Sequence, residues 1–207
     1  MEKQFSHTKT FRYEVYNSSP NPQNVLFVLH GYGQLVKFFI RKFHNLPEDL
    51  MIVAPEGMHR FYVNGLSGRV GASWMTKEAR EIDISDNVDW LDALYQEIIK
   101  SYNIKKTFLL GFSQGGATAA RWHTLGKTKF NAMILWASVF PPDIDPELST
   151  DKHIPSWFLI GDEDELYPKE KQEELVQFYS QKGFICSIYK GKHDIHNKTL
   201  LDIVNQL

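Results

Sequence analysis

Three glycines bracket a single serine in Gly111-Phe112-Ser113-Gln114-Gly115-Gly116. The apolar run at 107–110 reads as a buried strand, and 117–122 continues as a helix. A serine at such a strand-to-helix turn is forced into a strained backbone that aims its hydroxyl outward. Small neighbours are required because adjacent backbone comes very close. A neutral serine is nevertheless a weak nucleophile: it needs a base to take its proton, and the base needs a third group to hold its tautomer. Downstream, Gly161-Asp162-Glu163-Asp164-Glu165 follows one apolar run and Gly191-Lys192-His193-Asp194 follows another. The resulting order is serine, acid, histidine: Ser113, Asp164, His193. Four acids crowd 162–165. Asp164 is favoured because it leaves room for the strand to turn toward the histidine, with Asp162 as the alternative. His193 follows a strand end, whereas His196 reads as the start of the last helix.

Acyl transfer also needs N–H donors for the developing oxyanion. Gln114, directly after the serine, supplies one. His30-Gly31-Tyr32-Gly33, at the end of an early strand, offers the second through the N–H of Tyr32. Tyr62, Trp74 and Phe140 lie in or beside rim loops and are candidates for an apolar substrate wall, with plain core packing as the alternative for each. Arg60 and Arg69 are placed to meet an anionic group, or else are ordinary solvated arginines. No cluster of His, Cys and acids has metal-ligand spacing, and 111–116 lacks the lysine of a phosphate loop. Neither metal nor cofactor is implied.

The elements that must position these residues alternate strand and helix. An alternating segment at 11–16 reads as an antiparallel edge strand. Runs at 25–29, 51–54, 107–110, 132–137, 156–160 and 184–189 read as further strands, most of them buried on both faces. Helical stripes fall at 35–46 (Val36, Phe39, Ile40, Phe43), at 84–98, between Pro168 and Gly183, and at the C-terminus (Leu200, Ile203, Val204). The stretch 55–82, with four glycines among aromatics and arginines, reads as a long functional or mobile loop. The pattern predicts an α/β fold with a mostly parallel central sheet of about seven strands and helices on both faces. In such sheets ligands bind beyond the carboxyl ends of the strands, where all the candidate residues fall.

At 207 residues the chain suits a single domain, 1–207. A hydrophobic content of 43% against 23% charged residues argues against disorder, and a net charge of −2 without basic runs argues against nucleic acid as a partner. No stretch is long and apolar enough for a membrane span. Cys186, the only cysteine, lies in an apolar run and reads as a buried, inert thiol, which suits a cytoplasmic protein. The oligomeric state is left open, a homodimer among the options.

Taken together, Leu29-His30-Gly31-Tyr32-Gly33, Ala54-Pro55-Glu56-Gly57, Ser73-Trp74, the 111–116 elbow, Gly161-Asp162-Glu163-Asp164 and His193 resemble the phospholipase/carboxylesterase family of α/β-hydrolases, which includes acyl-protein thioesterases and small bacterial carboxylesterases. The likeness implies Ser113 as nucleophile, Asp164 as orienting acid and His193 as base, with Tyr32 and Gln114 supplying the oxyanion N–H groups. It favours Asp164 over Asp162 because the family's acid lies three residues after the glycine. Tyr32 stands where the thioesterases usually carry leucine, and Gln34 where they often carry aspartate, so a differently shaped acyl pocket is expected. Only 18 residues separate Ala137 from Ser156, too few for a large lid. The expected activity is therefore a serine carboxylesterase acting on small soluble esters. Acyl-thioesterase or lysophospholipase activity is the alternative within the same chemistry, and a non-catalytic ligand-binding protein the alternative outside it.

Overall fold

The computed structural model describes residues 1, 3–16, 19–145 and 154–207. Seven strands form one sheet: β1 (Tyr13–Tyr16), β2 (Asn24–Leu29), β3 (Leu50–Pro55), β6 (Lys106–Phe112), β7 (Ala132–Trp136), β8 (Ser156–Gly161) and β9 (Ile185–Tyr189). Their order is β1-β3-β2-β6-β7-β8-β9, parallel throughout except for β1, which pairs antiparallel with β3. This is the α/β-hydrolase arrangement, with β1 on the edge that its alternating pattern predicts.

Side-chain alternation divides the apolar strands between two cores. Phe27, Val53, Leu109, Leu135 and Phe158 point to one face, where they meet α2 (Arg80–Ser101), α3 (Gln114–Leu125) and α4 (Lys169–Gln181). Leu26, Ile52, Leu110, Ile134 and Leu159 point to the other, covered by α1 (Val36–Phe39), the 3-10 turn Ile40–Phe43 and α5 (Asn197–Val204). Each buried aliphatic or aromatic side chain contributes about 1.5–3 kcal/mol, so two filled faces hold the sheet rigidly. Pro168 and Gly183 flank α4 as expected, Gly183 at φ +84°, and His196 occupies the N-cap of α5.

Three expectations are corrected. The helix read at 35–46 is one α-helical turn followed by a 3-10 turn, although its predicted stripe of Val36, Phe39, Ile40 and Phe43 is buried as a unit. A segment so rich in aromatic and β-branched residues has low helix propensity, and ring packing sets its path. The stretch 55–82 is not an irregular loop. It contains an antiparallel hairpin, β4 (His59–Tyr62) and β5 (Val70–Ser73), with Gly65 and Gly68 at positive φ near its tip. Its strands, four residues each and with a glycine in β5, are too short to register as a period-two pattern. Cys186 is half-buried on edge strand β9 rather than buried, and partial desolvation raises its thiol pKa. Residues 146–153 of the connection between β7 and β8 lie outside the described residues, and its described part carries no large lid.

One buried polar residue locks the carboxyl ends of β2 and β3 together. His30 is fully buried; its Nδ1 lies 2.8 Å from the Gly31 carbonyl and its Nε2 2.9 Å from the Gly57 N–H. Nε2 must accept, so Nδ1 carries the proton and the ring is neutral. Desolvation lowers its pKa from 6.5 to about 4, against smaller opposing contributions from the Gly31 carbonyl and the Glu56 charge. Between those values the unfolded chain binds a proton that the folded chain refuses. Stability therefore falls as pH drops from about 6.5 toward about 4, by about 3 kcal/mol from this residue. Urea unfolding at pH 7 and pH 4.5 should show a smaller acid loss for His30→Gln, which can accept from Gly57 but does not titrate. An undiminished loss in that variant would assign the acid sensitivity elsewhere.

Candidate active site

Ser113 sits between β6 and α3 with φ 54° and ψ −120°, a conformation that side chains other than glycine rarely adopt. Its N–H donates to the Trp136 carbonyl at 2.8 Å, which ties the turn to β7. The glycines answer to contacts on every side. A Cβ on Gly111 would strike the Gly115 carbonyl and the Gly116 Cα, one on Gly115 the Leu29 and His30 carbonyls, and one on Gly116 the Ser138 side chain. Beyond the elbow, the Gln114 side chain crosses to the end of β5, where Oε1 accepts from Trp74 N–H at 3.2 Å and Nε2 donates to the Met75 carbonyl at 3.0 Å.

His193 and Asp164 meet at the same rim. His193 Nδ1 lies 2.7 Å from Asp164 Oδ2, and Asp164 Oδ1 accepts the Leu166 N–H at 2.9 Å. The Asp164 side chain is fully buried and that of His193 is 19% exposed. A carboxylate partner requires the proton on Nδ1, which leaves Nε2 as the basic nitrogen. The His193 ring packs 4.9 Å from that of Phe112, the residue before Ser113, so the pair stands beside the elbow. Asp162, the alternative acid, instead accepts the Gly191 N–H at 2.9 Å. It joins the two loops, as does the Glu163 N–H donating to the Gly191 carbonyl. Behind them, Trp136 Nε1 donates to the Tyr189 hydroxyl at 2.8 Å, and Tyr189 donates onward to the Asp194 carbonyl. Burial, reinforced by the Asp164 charge, raises the Tyr167 and Tyr189 pKa values to about 12, so both phenols stay protonated.

The loop after β2 closes the third side. A Cβ on Gly31 would lie 3.2 Å from the Ser113 Cβ. Within the loop, Gly31 N–H donates to Gln34 Oε1 at 2.9 Å, Gly33 N–H to the Ala72 carbonyl at 2.8 Å and Gln34 N–H to the Gly31 carbonyl at 3.3 Å. Among the described residues no acceptor is placed on the N–H of Tyr32 or of Gln114. The β4–β5 hairpin braces this loop from outside: Ala72 N–H donates to the Gln34 carbonyl, and Gly71 lies so close to Gly33 that a Cβ there would meet its carbonyl at 2.6 Å. The hairpin is itself moored by Glu56, whose buried carboxylate accepts from Arg60 at 2.9 Å and from the Val36 N–H at 3.3 Å.

The wall residues behave differently from one another. Trp74 is not on the wall: it is fully buried, and its Nε1 donates to the His30 carbonyl at 2.8 Å, because an indole in the core needs a partner for its N–H. Tyr62 points to solvent on β4, and its neighbour Phe61 takes the expected place against Tyr32, at 5.0 Å. Phe140 lines a cavity of about 320 Å³ with Val139, Leu175 and Phe178. Arg60 is consumed by Glu56, whereas Arg69 lines a cavity beside Gly33 and Gln34. Sequence reasoning missed Gln34 as the acceptor that shapes the loop, Gln114 as a strut to β5, and the Trp136–Tyr189–Asp194 brace. Only the Ser73-Trp74 pair hinted that β5 mattered. No group of three or more His, Cys, Asp or Glu among the described residues is placed to hold a metal ion, and no described helix is long and apolar enough to cross a membrane.

Comparison with known proteins bears on the fold and the family. The chain is similar in structure to a carboxylesterase from Mesorhizobium loti (TM-score 0.75, 19% identity, covering 94% of each chain). It is also similar to acyl-protein thioesterase 2 from Zea mays (TM-score 0.71, 15% identity, 94% of this chain and 96% of that one) and to esterase PE8 (TM-score 0.68, 19% identity, 96% and 99%). At these identities the likeness establishes the fold. No curated protein matches the chain by sequence. The family model for serine hydrolases of the FSH1 type matches residues 19–201, nearly the whole chain, so this protein belongs to the FSH1 serine hydrolase family.

Proposed function

We propose that the protein is a serine carboxylesterase that hydrolyses small soluble carboxylic esters through an acyl-enzyme on Ser113. The observation that carries this reading is the 2.7 Å contact between buried Asp164 and His193 beside a strained serine elbow. In the first half-reaction His193 Nε2 takes the Ser113 proton as Oγ attacks the ester carbonyl carbon. The carbonyl oxygen becomes an oxyanion held by the N–H groups of Tyr32 and Gln114. Collapse breaks the bond to the alcohol oxygen, which leaves with the proton from His193. Water then attacks the acyl-enzyme, passing its proton to His193, and the acid is released as Ser113 recovers its hydrogen. Asp164 stays ionised and holds the imidazole in its productive tautomer.

Each oxyanion donor contributes about 3 kcal/mol to lowering the barrier. The Tyr32 N–H is the one amide of the Gly31–Gln34 loop left without a protein acceptor among the described residues, which supports its role. A lone cysteine on an edge strand, unable to form an intrachain disulfide, favours action in the cytoplasm. The fold shared with a thioesterase keeps thioester substrates as a second reading, decided by comparing oxygen and sulfur esters of one acyl group.

A fluorophosphonate probe should label the native protein and fail to label Ser113→Ala; equal labelling of both would remove Ser113 from the reaction. Asp164→Asn should lower kcat for 4-nitrophenyl acetate by about 10⁴-fold, because the wrong tautomer is then favoured. A near-native rate would assign the orienting role to another acid. Gln34→Ala should release the Gly31 N–H and misplace the Tyr32 donor, lowering kcat about tenfold or more with little change in KM. A change confined to KM would show that Gln34 serves binding alone.

A further inference from the structure

A cavity of about 560 Å³ opens beside the loop after β2, walled by Gly33 and Gln34 on one side and by the hairpin tip at Arg69 on another. Its charged lining is entirely basic: Lys37, Lys42 and Arg69, with no acid. The three cations differ in how they are compensated. Lys42 pairs at 2.6 Å with Asp194, the residue after His193, which places that end of the cavity against the loop bearing the base. Lys37 and Arg69 have no carboxylate partner among the described residues, whereas Arg60 on the adjoining strand is held by Glu56. Two positive side chains without a carboxylate partner among the described residues thus line one concavity that begins at Gly33, directly after Tyr32, in a chain whose net charge is −2. The remaining wall is apolar, with Phe38 exposed at its lip beneath Lys37 at 4.9 Å. Cations set in a cleft with low-dielectric walls focus their field into it and raise the local concentration of anions.

We propose that this cavity is a subsite for a negatively charged group on the substrate, so that the preferred esters are anionic, carrying a carboxylate or comparable anion a few bonds from the scissile carbonyl. Arg69 and Lys37 are its specificity-determining residues. The proposal rests on the esterase reading of Ser113 and narrows it to a substrate class. The monoester of a short dicarboxylic acid places its charge on the acyl side, and an ester of a hydroxy acid places it on the alcohol side. Both present the same anion to the same cations.

The test compares kcat/KM for 4-nitrophenyl butyrate with mono-4-nitrophenyl glutarate, and for the butyrate ester of 4-hydroxy-3-nitrobenzoic acid with that of its methyl ester. Binding of free glutarate is measured alongside by calorimetry. In one of the two pairs the native protein should prefer the anionic ester by about tenfold or more, and the pair that shows it identifies the side of the ester bearing the charge. The preference should shrink between 20 mM and 500 mM salt. In the double variant K37Q/R69Q the ratio should fall to near unity, and in Lys105→Gln, a charge change at the opposite end of the sheet, it should persist. Ratios near one in both pairs for the native protein, with neutral esters still hydrolysed, overturn the anion subsite alone. So does a preference that survives in the double variant. Absence of all turnover with glutarate binding that the double variant loses would keep the subsite and overturn the esterase reading, and absence of both overturns both.

Discussion

Close backbone contact at the serine elbow is the constraint on which the rest of the site depends. Ser113 at φ 54° is held in a conformation that costs about 1–3 kcal/mol and survives only where surrounding structure over-determines it. That determination comes from β6, buried between two cores, and from the N–H of Ser113 bonded to β7. The same contact has a second consequence. Because Gly115 fits directly under the Leu29 and His30 carbonyls, the loop after β2 is registered against the start of α3 by backbone rather than by flexible side chains. The loop carrying Tyr32 is thereby held against the turn carrying Ser113 and Gln114.

Burial also sets the protonation states around the elbow. His30 is kept neutral by desolvation, so it joins Gly31 to Gly57 without introducing a charge beneath the site. Asp164 is buried but satisfied by the Leu166 N–H and His193, which directs its charge at a single ring nitrogen. Tyr167 and Tyr189 remain protonated beside it, and Tyr189 can therefore donate to the Asp194 carbonyl and steady the histidine loop. His30, Asp164 and Tyr189 each have polar partners, as low-dielectric surroundings demand.

Outside this frame the variable parts are the hairpin, the short helix after Gln34 and the connection beyond β7. The hairpin and helix converge on the cavity that holds Lys37 and Arg69, and the connection contributes Val139 and Phe140 to another. Substrate choice in such folds resides in elements of this kind, carried on a rigid sheet. The anion preference inferred for this chain belongs to that outer layer, while the Ser113 elbow and the Asp164–His193 pair belong to the inner one.

The sequence by itself determined the serine-hydrolase class and the layering. A glycine-bracketed serine at a strand-to-helix turn, followed by an acid and a histidine at later strand ends, points to a serine hydrolase, and uninterrupted apolar strands separated by helices leave a parallel sheet as the natural solution. Strand order in the chain then places Ser113, the acids at 162–165 and His193 on one rim. What the tertiary structure decided was which of several equivalent groups meet. Asp164 rather than Asp162 reaches the histidine because the close approach of Gly161 to Gly191 directs the earlier acid into bridging the two loops. On β4 Phe61 turns toward Tyr32 and Tyr62 toward solvent because hairpin register, invisible in a four-residue strand, sets which face each occupies, while Trp74, just beyond β5, is drawn into the core. Arg60 and Arg69 look alike in sequence, yet one is neutralised by Glu56 across a turn and the other is left facing a cavity. Local spacing marks the candidate residues, but partner choice among them depends on contacts between segments far apart in the chain, and those exist only once the sheet is assembled.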